Sequence, residues 1–92
     1  MSYRLVFTEG YNKRASKWLG KHAALRDQYL KTLQLMELNI NHPSLRLHKL
    51  SGRLNGLSSV SINVSYRITL ELIIRDKDII MINIGAHDEV YK

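Results

Sequence analysis

The chain has 92 residues, 45% of them hydrophobic, with no cysteine and a formal charge of +6. That length allows one domain, residues 1–92, around one modest core, and leaves no room for a deep cofactor cleft. The missing thiols exclude disulfides and thiolate-bound metal. No apolar run approaches the ~20 residues a membrane span needs, and nothing at the N-terminus reads as a leader, so a soluble, cytoplasmic protein is expected. A basic surface can serve solubility alone, but here the charge is unevenly placed. No acid lies between Glu37 and Glu71, while Arg46, Lys49, Arg53 and Arg67, with His42 and His48, fall inside that window. Bases without acids over such a stretch point to a surface for phosphates.

In chain order, residues 3–8 are apolar and aromatic with a polar end, and predict a first strand. Thr8 is placed to cap a helix over 9–20, with Glu9 suited to its positive end. Tyr11, Ala15, Trp18 and His22 recur at helical spacing, and Gly20 offers a stop. A second helix is expected over 23–40, with Leu25, Tyr29, Leu33, Met36 and Ile40 as its apolar stripe and Asn41-His42-Pro43 as its end. Leu45–Leu50 is short and basic, and Gly52–Gly56 reads as a turn. Ser59–Asn63 and Tyr66–Ile74 alternate as half-buried strands do, with Arg67, Thr69 and Glu71 opposite Ile68, Leu70 and Leu72. After a turn at 75–78, Ile79–Ile84 reads as a central strand. The predicted fold is α+β. A small antiparallel sheet in β-α-α-β-β-β order, with room for a further strand, carries a helical hairpin on one face and leaves the other partly open.

Three groups could carry chemistry. Arg67, mid-strand on the polar face, suits a clamp on a phosphate; the plain alternative is an exposed arginine beside Glu71. His48, between Arg46 and Lys49, is a candidate general base, though an ordinary surface histidine is the commoner case. His87 and Tyr91 follow the last strand and could supply an acid and a stacking ring; alternatively the segment only packs. The four histidines lack metal-ligand spacing, and no phosphate loop or nucleophile elbow is present, so neither a metal nor a cofactor is expected.

Three segments resemble the RelE/ParE toxin superfamily and, within it, the YafQ-like mRNA interferases. His42-Pro43-Ser44-Leu45-Arg46-Leu47-His48-Lys49-Leu50-Ser51-Gly52 is similar to that branch's HPxLxxHKLxG stretch. Ser65-Tyr66-Arg67-Ile68 resembles the superfamily's YRI strand. Ile84-Gly85-Ala86-His87-Asp88-Glu89-Val90-Tyr91 looks like its closing IGTHDEVY. The resemblance implies the toxin of a type II toxin–antitoxin pair, cutting mRNA on the ribosome without a metal. A base activates the ribose 2′-hydroxyl, a cation stabilises the phosphorane-like state, and an acid protonates the leaving 5′-oxygen. Carried over by position, His48 and His87 match catalytic histidines, Arg67 the superfamily arginine and Tyr91 the closing aromatic. Arg46, Lys49, Arg53 and Ser61 are expected to meet RNA. The implied partners are mRNA, the ribosome and an acidic antitoxin, with no membrane.

The chain departs from the pattern with serine at positions 58, 61 and 65, where family members carry tryptophan, a basic or histidine side chain, and in YafQ aspartate. Two rival readings follow: a ParE-like module that inhibits gyrase, and a catalytically weakened homologue that mainly binds its antitoxin. The pair His48 and His87 argues against the first.

Overall fold

The computed structural model of the chain describes residues 3–86. The elements are β1 (Arg4–Phe7), α1 (Glu9–Lys21), α2 (Arg26–Leu38), β2 (His48–Lys49), β3 (Ser58–Ser61), β4 (Tyr66–Ile73) and β5 (Asp78–Ala86). All five strands join one sheet in the order β1-β5-β4-β3-β2. The architecture is α+β, two helices on a five-stranded sheet. Neighbours from β2 to β5 pair antiparallel, as expected, but β1 pairs parallel with β5, so the sheet is mixed. Alternation reports which face a residue takes and is blind to strand direction, which is why the parallel edge was not legible. The chain leaves β1 through both helices, re-enters at the far edge as β2, and steps back strand by strand until β5 meets β1. Arg4 sits opposite Asp78 in that pairing and donates to its carboxylate from Nε (3.0 Å) and Nη2 (3.3 Å), which marks the register.

Thr8 caps α1 as its position foretold. Its Oγ1 accepts from the Tyr11 backbone N–H (3.1 Å) and donates to the Met81 carbonyl (2.9 Å), tying the helix start to β5. The helix passes exposed Gly20 and ends at Lys21, with His22 as the capping residue. The single helix expected over 23–40 is instead a 3₁₀ turn, Ala23–Leu25, followed by α2. Leu25, at φ −97° and ψ 4°, lies off the helical region, which separates the two. α2 stops at Leu38 because Asn39 swings to φ −160°, and its Oδ1 then accepts from the Asn41 N–H (3.1 Å) in a local turn.

The core lies between the helices and the sheet. Tyr11, Ala15 and Trp18 of α1 and Tyr29 and Met36 of α2 pack over Val60, Ile68, Leu70, Ile79 and Met81. A bulge lets β4 keep its faces. Thr69 pairs with Asn83 and Leu70 with Met81, so Ile82 is the extra residue. Without that insertion, one half of the β4–β5 pair would be turned inside out. The far face is less open than expected at its centre, because Ser59 and Thr69 are fully buried there. Among the described residues no helix is long and apolar enough to cross a membrane.

At the heart of the core the Tyr11 and Tyr29 hydroxyls share a hydrogen bond of 2.8 Å. Burial first, then the tyrosine pair, pushes the Tyr11 phenol far above the usual range; burial raises Tyr29 too. A buried phenol that keeps its proton while the unfolded chain loses it favours the fold below pH ~10 and ceases to as pH rises further. Unfolding free energy should therefore fall above pH ~10, with Tyr11 contributing about 1.4 kcal/mol per pH unit. Urea titrations at stepped alkaline pH should show a steeper decline for the parent than for Tyr11→Phe. Parallel declines would mean that Tyr11 is not held neutral by burial.

Candidate functional site

Directly opposed residues on paired strands point to the same face, so the register assigns the far face row by row. His48, Ser59, Thr69 and Asn83 form one row; Ser61, Arg67 and Gly85 form the next. His48 and Arg67 thus share the face away from the helices. Two strand spacings and two residues of rise set their backbones roughly 12 Å apart. That separation is too long for contact, yet both side chains can reach a ligand lying between them.

The local chain explains how each is presented. The His42 ring Nδ1 accepts from the Ser44 N–H (3.2 Å), and Pro43 opens a 3₁₀ turn, Pro43–Leu45, that buries Leu45. Arg46 follows in the left-handed region at φ 51°, an uncommon conformation for a residue with a side chain. The reversal aims β2 along β3. His48 Nδ1 lies 3.2 Å from the Arg46 carbonyl, which orients the ring. On the other side of β3, Ser61 Oγ donates to the Asn63 carbonyl (2.7 Å), and Asn63 Oδ1 accepts from the N–H groups of Ser65 (2.8 Å) and Tyr66 (2.9 Å). Gln28 Nε2 of α2 donates to the Ile62 carbonyl (2.9 Å) and holds the hairpin end against the helix.

Between that hairpin end, α2 and the 43–46 turn is a cleft of about 440 Å³, whose lining includes Lys31, Ser44, Arg46, Ser61, Asn63 and Arg67. Among the described residues no carboxylate lines it. Arg67 Nη1 is closed to solvent and has no hydrogen-bond partner among the described residues. A guanidinium with one nitrogen already shielded from water and unpaired can stabilise charge developing on a phosphate with little reorganisation of that nitrogen. His48, Lys49 and Arg53 line a second cleft of about 350 Å³ with Ser51. Of the residues singled out in the sequence, the structure thus gathers Arg46, Ser61 and Arg67 in one cleft and His48, Lys49 and Arg53 in the other. His87 and Tyr91 lie outside the described residues. Lys31 and Gln28 were missed, since a lysine or glutamine on a helix's polar face carries no signal distinct from solubility. No group of three possible metal ligands occurs among the described residues.

No family model matches the sequence, and no curated protein matches it significantly. Solved structures do resemble it. The Escherichia coli DinJ–YafQ toxin–antitoxin complex superposes at a TM-score of 0.77 with 16% identity, covering 100% of both chains. The fold is RelE/YafQ-like. The YoeB/ParE toxin of Agrobacterium tumefaciens matches at 0.73 and 15%, covering 91% of this chain and 98% of its own. The RelBE2 toxin–antitoxin complex of Mycobacterium tuberculosis matches at 0.64 and 15%, covering 95% and 100%. At such identities the RelE/YafQ-like likeness rests on backbone path. The chemistry has to be argued from this chain's own residues.

Because the buried Arg67 nitrogen gains no hydrogen bond from the described residues, Arg67→Met should preserve or raise stability, by on the order of 1 kcal/mol. Urea denaturation of the two proteins measures this. A loss of comparable size would make the arginine a structural residue rather than one held for a ligand.

Proposed function

We propose that this chain is the toxin of a type II toxin–antitoxin pair and acts as a metal-independent endoribonuclease on ribosome-bound mRNA. The observation that carries the reading is the cleft around Arg67, in which no described residue is acidic and one guanidinium nitrogen is shielded from solvent and unpaired among the described residues. Arg67 stabilises the phosphorane-like state, and Arg46 and Lys31 hold the adjoining backbone. His48 and His87 serve as the base and acid that move the 2′-hydroxyl proton and protonate the leaving 5′-oxygen. Tyr91 stacks on a base. Lys49 and Arg53, beside His48, extend the phosphate contacts along the strand. An acidic antitoxin that covers this basic surface is the expected partner, as an antitoxin accompanies the toxins in the DinJ–YafQ and RelBE2 complexes.

A weakened nuclease that chiefly binds its antitoxin is the second reading. It is favoured by serine at positions 58, 61 and 65, and by the Ser61 hydroxyl proton being committed to the Asn63 carbonyl.

Expression without antitoxin, with primer extension on cellular mRNA, separates the two. Active cleavage should halt growth and yield discrete new 5′ ends. His87→Ala should reduce cutting by about 10²–10⁴-fold, and Arg67→Ala by about 10²–10³-fold, with far-ultraviolet circular dichroism unchanged. Parental cutting by both variants, or no new ends from the parent, would defeat the nuclease reading.

A further inference from the structure

A third basic cleft, of about 330 Å³, opens between α1 and β5 and is lined by Arg14, Lys17, Trp18, Lys21, His22 and Asn83, with Ile84. Arg14, Lys17 and Lys21 stand at i, i+3 and i+7, one stripe running roughly 10 Å along the helix. All three are exposed, and none lies within ion-pair distance of an acid among the described residues.

The cleft is built rather than incidental. Arg14 Nη1 donates to the carbonyl of Ile82 (3.3 Å), the extra residue of the bulge. One turn earlier, a Cβ on Gly10 would lie 3.1 Å from that same nitrogen, so the missing side chain gives the guanidinium room to fold back. Asn83 Oδ1 accepts from the Ile84 N–H (2.9 Å), which leaves its amide hydrogens for something else. His22 is wedged between Trp18 (ring centroids 5.0 Å apart) and Tyr66 (4.6 Å), closing one end. Apart from one imidazole nitrogen and the second lone pair of Asn83 Oδ1, the side-chain hydrogen-bonding capacity left over in this cleft belongs to donors, three of them cationic.

Resting on the reading of the chain as an RNA-cleaving toxin, we propose that this cleft binds the phosphodiester backbone of an RNA and anchors it at a place separate from Arg67. A phosphate accepts from several donors at once and offers none, which matches the unspent groups here. An acidic peptide fits less well. The apolar members of the lining, Trp18 and Ile84, are only 7% and 6% exposed, so a peptide would find almost nothing apolar to bury as it ordered. RNA needs only the phosphate contacts.

Trp18 is the chain's one tryptophan, so its fluorescence reports on the cleft itself. The parent is titrated with a short 2′-O-methyl RNA, which lacks the free 2′-hydroxyl needed for cleavage. Binding should change Trp18 emission. Arg14→Ala/Lys17→Ala/Lys21→Ala should lose that change, weaken binding about tenfold or more at low salt, and flatten the log–log salt slope by about 2. Lys13→Ala, an exposed residue 4.0 Å from Glu9, should behave as the parent. Arg67→Ala should keep the Trp18 response even if cleavage of ordinary RNA is lost, so the two sites are read apart. Parental affinity and slope in the triple variant would overturn the proposal, as would loss of the Trp18 response in Arg67→Ala. An equal Trp18 response to a polyglutamate of matched charge would overturn it in favour of an acidic peptide.

Discussion

The pairing of β4 with β3 on one side and β5 on the other fixes everything near the candidate site. A strand has two faces, and a one-residue slip exchanges them. With the observed register, Val60, Ile68 and Ile84 meet the helices, while Ser61 and Arg67 turn away with the His48 row beside them. The bulge at Ile82 protects this arrangement. It absorbs one residue of mismatch, so Leu70 and Met81 rejoin the core beyond it. The same insertion frees the Ile82 carbonyl that receives Arg14. One irregularity thereby links the hydrophobic packing to the placement of cations at both ends of the sheet.

Neither Arg14 nor Arg67 has an ion-pair partner among the described residues. In the core Tyr11 and Tyr29 bond to each other and Thr8 spans helix and sheet, while Trp18 Nε1 and Thr69 Oγ1 are buried without a hydrogen-bond partner among the described residues. Arg67 is the charged case among these, a half-buried guanidinium with one nitrogen unmatched among the described residues. An unsatisfied buried donor costs stability in the empty protein, and that cost is recovered when an anion arrives. Among the described residues no carboxylate lines the cleft to compete for that role. Stability and ligand binding are thus set against each other at one residue, as is usual for sites built on fixed charge.

Much of this was legible in the sequence because it depends on periodicity. The stripe of Tyr11, Ala15 and Trp18, the cap at Thr8, and the alternation that sends Arg67 away from Ile68 all follow from residue type and spacing. Features set by long-range contact were not legible. The parallel pairing of β1 with β5 and the burial of Ser59 and Thr69 depend on which segments meet. The 3₁₀ turn ahead of α2 interrupts a stripe that the sequence carries without a break. Lys31 joins the Arg67 cleft only because α2 passes the β3–β4 hairpin, and Arg14 reaches β5 only because Gly10 and the bulge make way for it.

The central claim is that Arg67 and the two histidines drive attack of a ribose 2′-hydroxyl on its neighbouring phosphate. That chemistry leaves a 2′,3′-cyclic phosphate on one fragment and a free 5′-hydroxyl on the other. The most direct measurement is the end chemistry of mRNA fragments from cells expressing the protein, read by kinase labelling with and without prior phosphatase. The account predicts downstream fragments that accept label without phosphatase, and upstream fragments whose 3′ ends resist extension until the cyclic phosphate is removed. Downstream fragments that require phosphatase before labelling, paired with free 3′-hydroxyls, would show hydrolysis by a different route and contradict it.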